Sequence, residues 1–408
     1  MLVTVIGGGA AGLISGVIAG WNGARVTIIE RKGKLGKKLL ASSNGRGNFS
    51  NLETDENHYF SNDLDFVKKV LQISGVVQTL SIFEEIGIIV KEKGTKLFPY
   101  TERSKDIVDN FKYEIAKHNI NVVLNFQVEE IIKKENKFLI KCQNKSFESD
   151  KVIVATGGKS SPQYGSNGNI FETLKKLGHS IIELKPGLVP LKVISYFTEE
   201  ISGSKLEGNV YLTDQKGEIL SKVYKGEVLF KKGGILSGIP ILELSNYIHP
   251  LIENGKDIFI KLIAFPSYSE KDIYDLLTKK IKFRPEKPLR LLLLSLIDQR
   301  LIPYFFKRMG IENLDQPVGY LTTKDIEILA DKLKYWDFQV KDTCDWKDSQ
   351  VSLGGINTNE IDPYTLESKI IPGLFFAGEV IDVAGESGGF NLQWAWSSGY
   401  LAGISSTT

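Results

Sequence analysis

Cysteine is nearly missing from this chain. Cys142 and Cys344 lie far apart and form no C-x-x-C pair, which excludes a disulfide framework and a paired-thiol redox centre and fits a reducing compartment. Histidine is also sparse: the four present make no H-x-H or H-E-x-x-H pattern, so no metal site is expected. Neither sign of charge is in excess, with 51 Lys and Arg against 49 Asp and Glu and a net charge of +2. With no basic stripe on an aromatic-rich face, that balance argues against nucleic-acid and membrane partners. Long hydrophobic runs are absent too. The opening MLVTVIGGGAAGLISGVIAG has no basic start and is broken by glycines. LRLLLLSLI (289–297) is far shorter than the roughly 20 residues a bilayer requires, and it reads as a buried helix. A soluble, cytoplasmic protein is expected.

What is present is ordinary globular sequence. The 408 residues are 42% apolar and 25% charged, enough for two or three domains around real cores. LVTVI (2–6) is a β-rich run, residues 10–20 follow with helical spacing, Gly23 stops them, and ARVTIIE (24–30) is a second strand. This is a βαβ unit. Residues 31–60 are polar and aperiodic, which is long for an idle loop. Helices are expected over 64–86 and 104–118. VVLNF, QVEEII, KFLIKC, SFES and KVIVA then read as strands through residue 155. From 186 to 266 short alternating runs such as NVYLTD and KVYKGEVLF lie between Pro and Gly turns, as in a small β-domain. Near 267 helices take over, with SYSE (267–270) and TTKD (322–325) as capping boxes. FQV (338–340) returns to the β-domain, and QVSLGGI (350–356), GLFFAG (373–378) and a final helix return to the first domain.

Several motifs carry chemistry. In GGGAAG, Gly7, Gly9 and Gly12 stand in G-x-G-x-x-G register between strand and helix, with Ala10 and Ala11 opening the helix. Such a helix start offers free N–H groups and a positive dipole end to a pyrophosphate. Glu30, closing the second strand, is placed to accept hydrogen bonds from a ribose, with Arg31 beside it. FAD and NAD share this fingerprint, and two further segments point to FAD. KVIVATGG brings Ala155, Thr156 and Gly157 back to the dinucleotide. GLFFAGEVIDV supplies Gly378, Glu379 as the ribityl contact, and Asp382 as its neighbour. Third, Gly388 and Gly389 have no β-carbon to keep backbone from a flat ring. Phe390, Asn391 and Leu392 start a helix aimed at it, which would favour a reduced flavin. Trp394 and Trp396 are expected only to pack. GKKLLASSNGRGNFSN (36–51) suits a loop wrapped on the cofactor, with Lys38, Asn44, Gly45, Arg46, Gly47 and Asn48 as contacts and Val128 (in QVEEII) added. For catalysis the candidates are Arg46, Tyr164 and Glu386.

These residues carry a resemblance. VIGGGAAGL, GKKLLASSNGRGN, LFPYT (97–101), ATGGKSSPQYGSNG (155–168), GLVPL (187–191), TLESK (365–369) and PGLFFAGEVIDVAGESGGFNLQWAWSSG (372–399) resemble, over nearly the whole chain, the bacterial FAD-dependent enzymes called BaiN-type or aminoacetone oxidase-like flavoproteins. The resemblance implies an α/β fold: a discontinuous Rossmann-like FAD-binding domain (1–185 and 350–408) with an inserted β-barrel (186–266 and 336–349) that contains a helical subdomain (267–335). Two departures stand out. The family's cysteine in its G-R-C-N motif is here Gly47, and its F-T-H-x-G-x-S-G-P stretch is here FKKGGILSGIP (230–240), with Lys231 and Lys232 in place of Thr and His. Two activities are implied, reduction of conjugated C=C bonds in enones and oxidation of small amines to yield peroxide. An NAD(P)H-dependent reductase of a small-molecule enone, with hydride passing through flavin N5, is the leading expectation. No second G-x-G-x-x-G occurs downstream, so NADH or NADPH would dock transiently. The amine oxidase, a non-catalytic flavin-binding protein and an RNA-acting enzyme are the alternatives, the last opposed by the near-neutral charge.

Overall fold

The computed structural model describes residues 1–143, 145–194 and 201–408; residues 195–200, within the expected β-domain, lie outside the described residues. Two compact units result, Met1–Gly187 with Trp346–Thr408, and Leu188–Asp345.

In the first unit a five-stranded parallel sheet is centred on Leu2–Ile6. Arg25–Glu30 and then Asn121–Leu124 extend it on one side, Lys151–Val154 and then Leu374–Phe376 on the other. The strands read as continuous apolar runs because helices and loops cover both faces of such a sheet. The crossover between the first two strands is the helix Ala10–Trp21. It starts hard against the first strand: a β-carbon on Gly12 would lie 1.8 Å from the carbonyl oxygen of Gly7. The C-terminal helix Phe390–Ser405 is buried on nearly every side, Gln393, Trp394, Trp396, Ser397, Ser398, Leu401 and Ala402 included. It is therefore a core element with no polar stripe. The expected helix over 64–86 is two helices, Leu64–Ile73 and Val76–Glu85. The break falls at Gly75, whose β-carbon would come within 2.7 Å of the Leu71 carbonyl.

In the second unit six strands close a barrel, in the order Leu191–Ile194, Ile235–Ser237, Tyr224–Lys231, Lys205–Thr213, Phe259–Ala264 and Tyr335–Thr343. Alternation points Leu206, Val210 and Leu212 inward. The helices Glu270–Phe283 and Thr323–Lys334 are inserted between the last two barrel strands, and their apolar faces share one core with the barrel. FKKGGILSGIP forms a barrel hairpin that runs into a short helix, Ile239–Ser245.

Two local expectations are corrected. LRLLLLSLI is no helix: Leu289–Leu291 make one 3-10 turn, and the backbone N–H groups of Leu289 and Arg290 donate to Gln316 and Leu314. Ser295 in the left-handed region (φ 70°) interrupts a longer helical stretch. The first capping box is Ser269 with Asp272, two residues on from SYSE's first serine, whereas Thr322 with Asp325 closes the second as read.

Gly12→Ala should lower stability by at least about 3 kcal/mol, because neither backbone can yield. Gly9→Ala, whose added β-carbon meets nothing within 4 Å, should leave it nearly unchanged. Thermal unfolding of the two variants checks the contrast.

Candidate functional site

The site is built around the start of the helix Ala10–Trp21. Gly9 is its N-cap, with no side chain capping it and no acidic residue in the first turn, so the orphan N–H groups at Ala10, Ala11 and Gly12 keep their positive end. Gly7 gives the turn its shape (φ 108°) and packs on Ala155, where a β-carbon would lie 2.4 Å from the carbonyl oxygen. Glu30 is held by two backbone donors, Gly8 N–H on Oε2 and Lys32 N–H on Oε1, each at 2.7 Å. Each carboxylate oxygen retains acceptor capacity. Phe126 N–H donates to the Glu30 carbonyl, which brings the segment leading to buried Val128 alongside.

The strand ending in Ala155 delivers Thr156, Gly157 and Gly158 beside Glu379: the β-carbon positions of Gly157 and Gly158 lie 4.0 and 3.1 Å from its carboxylate oxygens, and that of Gly378 lies 2.9 Å from Ala11. Here the structure departs from two expectations. Lys38 and Glu379, both expected on the cofactor and the latter at its ribityl chain, are paired with each other at 2.7 Å. Ser160 bridges them, accepting from Lys38 at 2.6 Å and donating to Glu379 at 2.7 Å, and Ser352 N–H adds a third bond to the carboxylate. The pair ties the Lys37–Ala41 helix to the turn at Gly378–Val380. Asp382 is buried, accepts from Asn62 at 3.1 Å, and is pushed above the ordinary carboxylate range by that burial.

The loop at 42–48 is compact and left-handed at Ser43, Asn44, Gly45 and Gly47. Asn44 and Arg46 face solvent, while Gly47 and Asn48 are buried. Gly47 has its own reason here: with φ 72°, a β-carbon would stand 2.8 Å from Ser104 Cα, so a cysteine in this position would strain the loop. Arg46 is paired with Glu102 and lies over the Phe98 ring. At the C-terminal helix a correction is needed. Gly389 (φ 114°) makes room for backbone of its own unit, since a β-carbon would fall 2.3 Å from the Ser50 carbonyl oxygen; Gly388 lies beside Lys96 and Asn51. Asn391 uses its side chain on Gly385 and Glu386, accepting from Gly385 N–H at 2.7 Å and donating to both carbonyls. Phe390 stacks on His58 at 4.5 Å, Glu386 N–H donates to the His58 carbonyl, and Leu392 is half-buried. Tyr164 is exposed, and its neighbour Gly165 lies by Lys32 at the Glu30 end of the site.

Several working residues escaped the sequence reading. Trp394 and Trp396 do more than pack, donating to the carbonyls of Gly378 and Phe49. Buried Gln393 accepts from Ser50 and donates to Thr79 and Ser397. A polar residue within an apolar helix was the available signal.

Whether FAD suits these residues can be judged from atoms left unpaired. Nη1 of Arg31 and Oδ1 of Asn48 are buried without a hydrogen-bond partner, although buried polar groups are nearly always paired. One cationic donor, one acceptor, the open face at Gly9 and an uncapped helix start match an anionic pyrophosphate and a ring with N–H donors. FAD fits. Among the described residues no cluster of three or more His, Cys, Asp or Glu could hold a metal, and no helix is long and apolar enough to cross a membrane.

A family model described as the HI0933-like protein Rossmann domain matches residues 1–405. A 3-dehydro-bile acid delta(4,6)-reductase of Clostridium scindens is 30% identical over 403 residues, covering 98% of this chain and 98% of the relative. A ribosomal RNA dihydrouridine synthase of Escherichia coli K12 is 30% identical over 399 residues, covering 97% of this chain and 95% of the relative. A flavocytochrome c3 fumarate reductase in an open conformation is alike in fold, with a TM-score of 0.51 at 15% identity over 100% of this chain and 78% of that one.

Glu379→Ala would leave Lys38 without its counter-ion and the Ser352 N–H without its acceptor, and about 1–3 kcal/mol of stability should be lost; urea unfolding measures it. Glu102, held down to about 2 by Lys93, Lys91 and Arg46, has a depressed folded-state value. Its stabilising effect is therefore complete above its ordinary 4.5 and lost as pH falls through about 2. The thermal midpoints of the protein and of Glu102→Gln should converge over that window.

Proposed function

The chain belongs to the HI0933-like Rossmann-domain family and is an FAD-dependent oxidoreductase, and from that premise we propose that it reduces a carbon–carbon double bond conjugated to a carbonyl. One observation carries this reading: two full-length relatives are named for reductions on unrelated skeletons, a 3-dehydro-bile acid and a uridine base. The bond type is common to both. A 4,6-unsaturated 3-ketone is a dienone, and C5=C6 of uridine is conjugated to the C4 carbonyl. In each, hydride adds at a carbon conjugated to the carbonyl and a proton completes the addition.

FAD supplies the hydride when bound. The chain's own residues have the remaining tasks. The helix start at Gly9–Gly12 and the Arg31 guanidinium would hold the pyrophosphate, Glu30 would accept from the ribose, and Asn48 Oδ1 would accept from the ring. The start of the Phe390–Ser405 helix would favour the electron-rich form by about 0.3–2 kcal/mol if it faces the ring. The Lys38–Glu379 pair fixes the two loops between which these groups lie. NADH or NADPH is the proposed electron donor, docking where the substrate docks because the chain has a single dinucleotide fingerprint. Arg46 and Glu386 are the side chains proposed to face substrate. Tyr164 is not carried forward, since its segment runs beside Glu30 at the ribose end.

A small enone is the first substrate class. The Escherichia coli relative favours a second, a uridine in RNA. The net charge of +2 opposes it weakly, because a whole-chain sum does not register local patches.

Anaerobic mixing of FAD-loaded protein with NADH or NADPH should bleach the flavin, and a steroid enone or a uridine-containing RNA should restore the colour faster than air does. Bleaching by a small amine, with peroxide on aeration and no response to either acceptor, would show an oxidase instead.

A further inference from the structure

The hairpin formed by Val90–Lys93 and Lys96–Pro99 concentrates positive charge. Lys91 pairs in register with Phe98, and Lys93 with Lys96. Directly opposed residues share a face of an antiparallel pair, so all four side chains stand on one side. Arg46 arrives from the loop at 42–48 and lays its guanidinium over Phe98, 5.0 Å from the ring centroid. Four cationic side chains gather there, and Lys93 directly opposite Lys96 is an arrangement that weakens a sheet.

A single carboxylate answers them. Glu102 Oε1 accepts from Lys91 at 2.9 Å and pairs with Lys93 at 2.5 Å. Its Oε2 accepts from Arg46 Nε at 2.9 Å and from the neighbouring Nη2. Lys96 forms no ion pair with a described residue, and its Cε lies 3.3 Å from the β-carbon position of Gly388, at the turn before the C-terminal helix. Three positive charges thus share one carboxylate, with Lys96 opposite Lys93 on the same face of the hairpin. Glu102 reaches them from a left-handed backbone, φ 53°, which a residue with a β-carbon adopts only when its surroundings impose it. A carboxylate held this way has the geometry of an internal stand-in for an anion with more oxygens and more charge.

We propose that Arg46, Lys91, Lys93 and Lys96 form a phosphate-binding site that Glu102 fills in the free protein and leaves when the phosphate of a ligand enters. A phosphate offers acceptor oxygens to all four side chains, where the carboxylate serves three. Arg46 stacked on Phe98 presents its fork in a fixed orientation, as phosphate recognition requires. Glu102 stays ionised at neutral pH, so it competes with the ligand by charge and by position. The phosphate is either a monoester, as on a nucleotide, or a phosphodiester, as in a nucleic-acid backbone. The site goes beyond the reduction proposed above, and its test reads binding alone, so each stands or falls separately.

FAD-loaded protein is titrated calorimetrically with inorganic phosphate at low ionic strength, where exposed charges are least screened. Glu102→Gln should bind phosphate at least fivefold more tightly than the native chain, and the Lys91→Gln/Lys93→Gln double variant at least tenfold more weakly. Lys93→Gln alone, at an exposed side chain, should weaken binding severalfold and serves if the double variant does not fold. Unchanged or weaker binding by Glu102→Gln, or native binding by the lysine variants, overturns the site. Competition with uridine 3′-monophosphate and with uridylyl-uridine separates the sources: displacement by the first alone marks a monoester, displacement by the second a phosphodiester. Displacement by neither overturns its assignment to a ligand.

Discussion

The first and last helices of the chain meet backbone to backbone, and the site depends on that contact. A β-carbon on Gly399 would stand 2.4 Å from Ile14 and 2.7 Å from the Ala11 carbonyl oxygen; on Gly403 it would stand 2.8 Å from the Ser15 carbonyl oxygen. Small residues four apart let helices approach this closely. The consequence is positional. With the two helices pressed together, Gly378 is carried onto Ala11, and Ser398 accepts from the Gly378 N–H at 2.8 Å. The loop bearing Glu379 is thereby fixed against the start of the first helix, across almost the full length of the chain.

Polar groups buried around that contact complete the scaffold. Gln393, Trp394 and Trp396 each bond to a different segment: Gln393 to Ser50 and Thr79, Trp394 to Gly378, Trp396 to Phe49. Because an unmade buried hydrogen bond is expensive, these groups specify where the loops lie as well as stabilising them. The Lys38–Ser160–Glu379 set works in the same way at the edge of the site. Its two charges are spent on each other.

Net charge proved a coarse guide. A sum of +2 conceals a face on which two lysines and an arginine share one carboxylate beside a third lysine, since residues 46, 91, 93, 96 and 102 meet only through the hairpin register and the turn that carries Glu102. The relatives differ in named substrate while matching along the whole chain. The dinucleotide motif, by contrast, is local and repeats the same physics wherever it occurs.

That locality separates what was legible from what was not. The βαβ unit, its glycine register and Glu30 follow from the sequence alone, because a strand, a tight turn and a helix start are set by neighbouring residues. The Thr322–Asp325 cap is legible for the same reason. LRLLLLSLI was misread because its backbone partners, Leu314 and Gln316, lie in another segment. The partners of Lys38, Glu379 and Gly389 were equally hidden. A lysine can meet phosphate or carboxylate, and a glycine can clear space for a ring or for another strand. Only the tertiary structure decides which, by bringing Ser50 to Gly389 and Ser160 and Ser352 to Glu379.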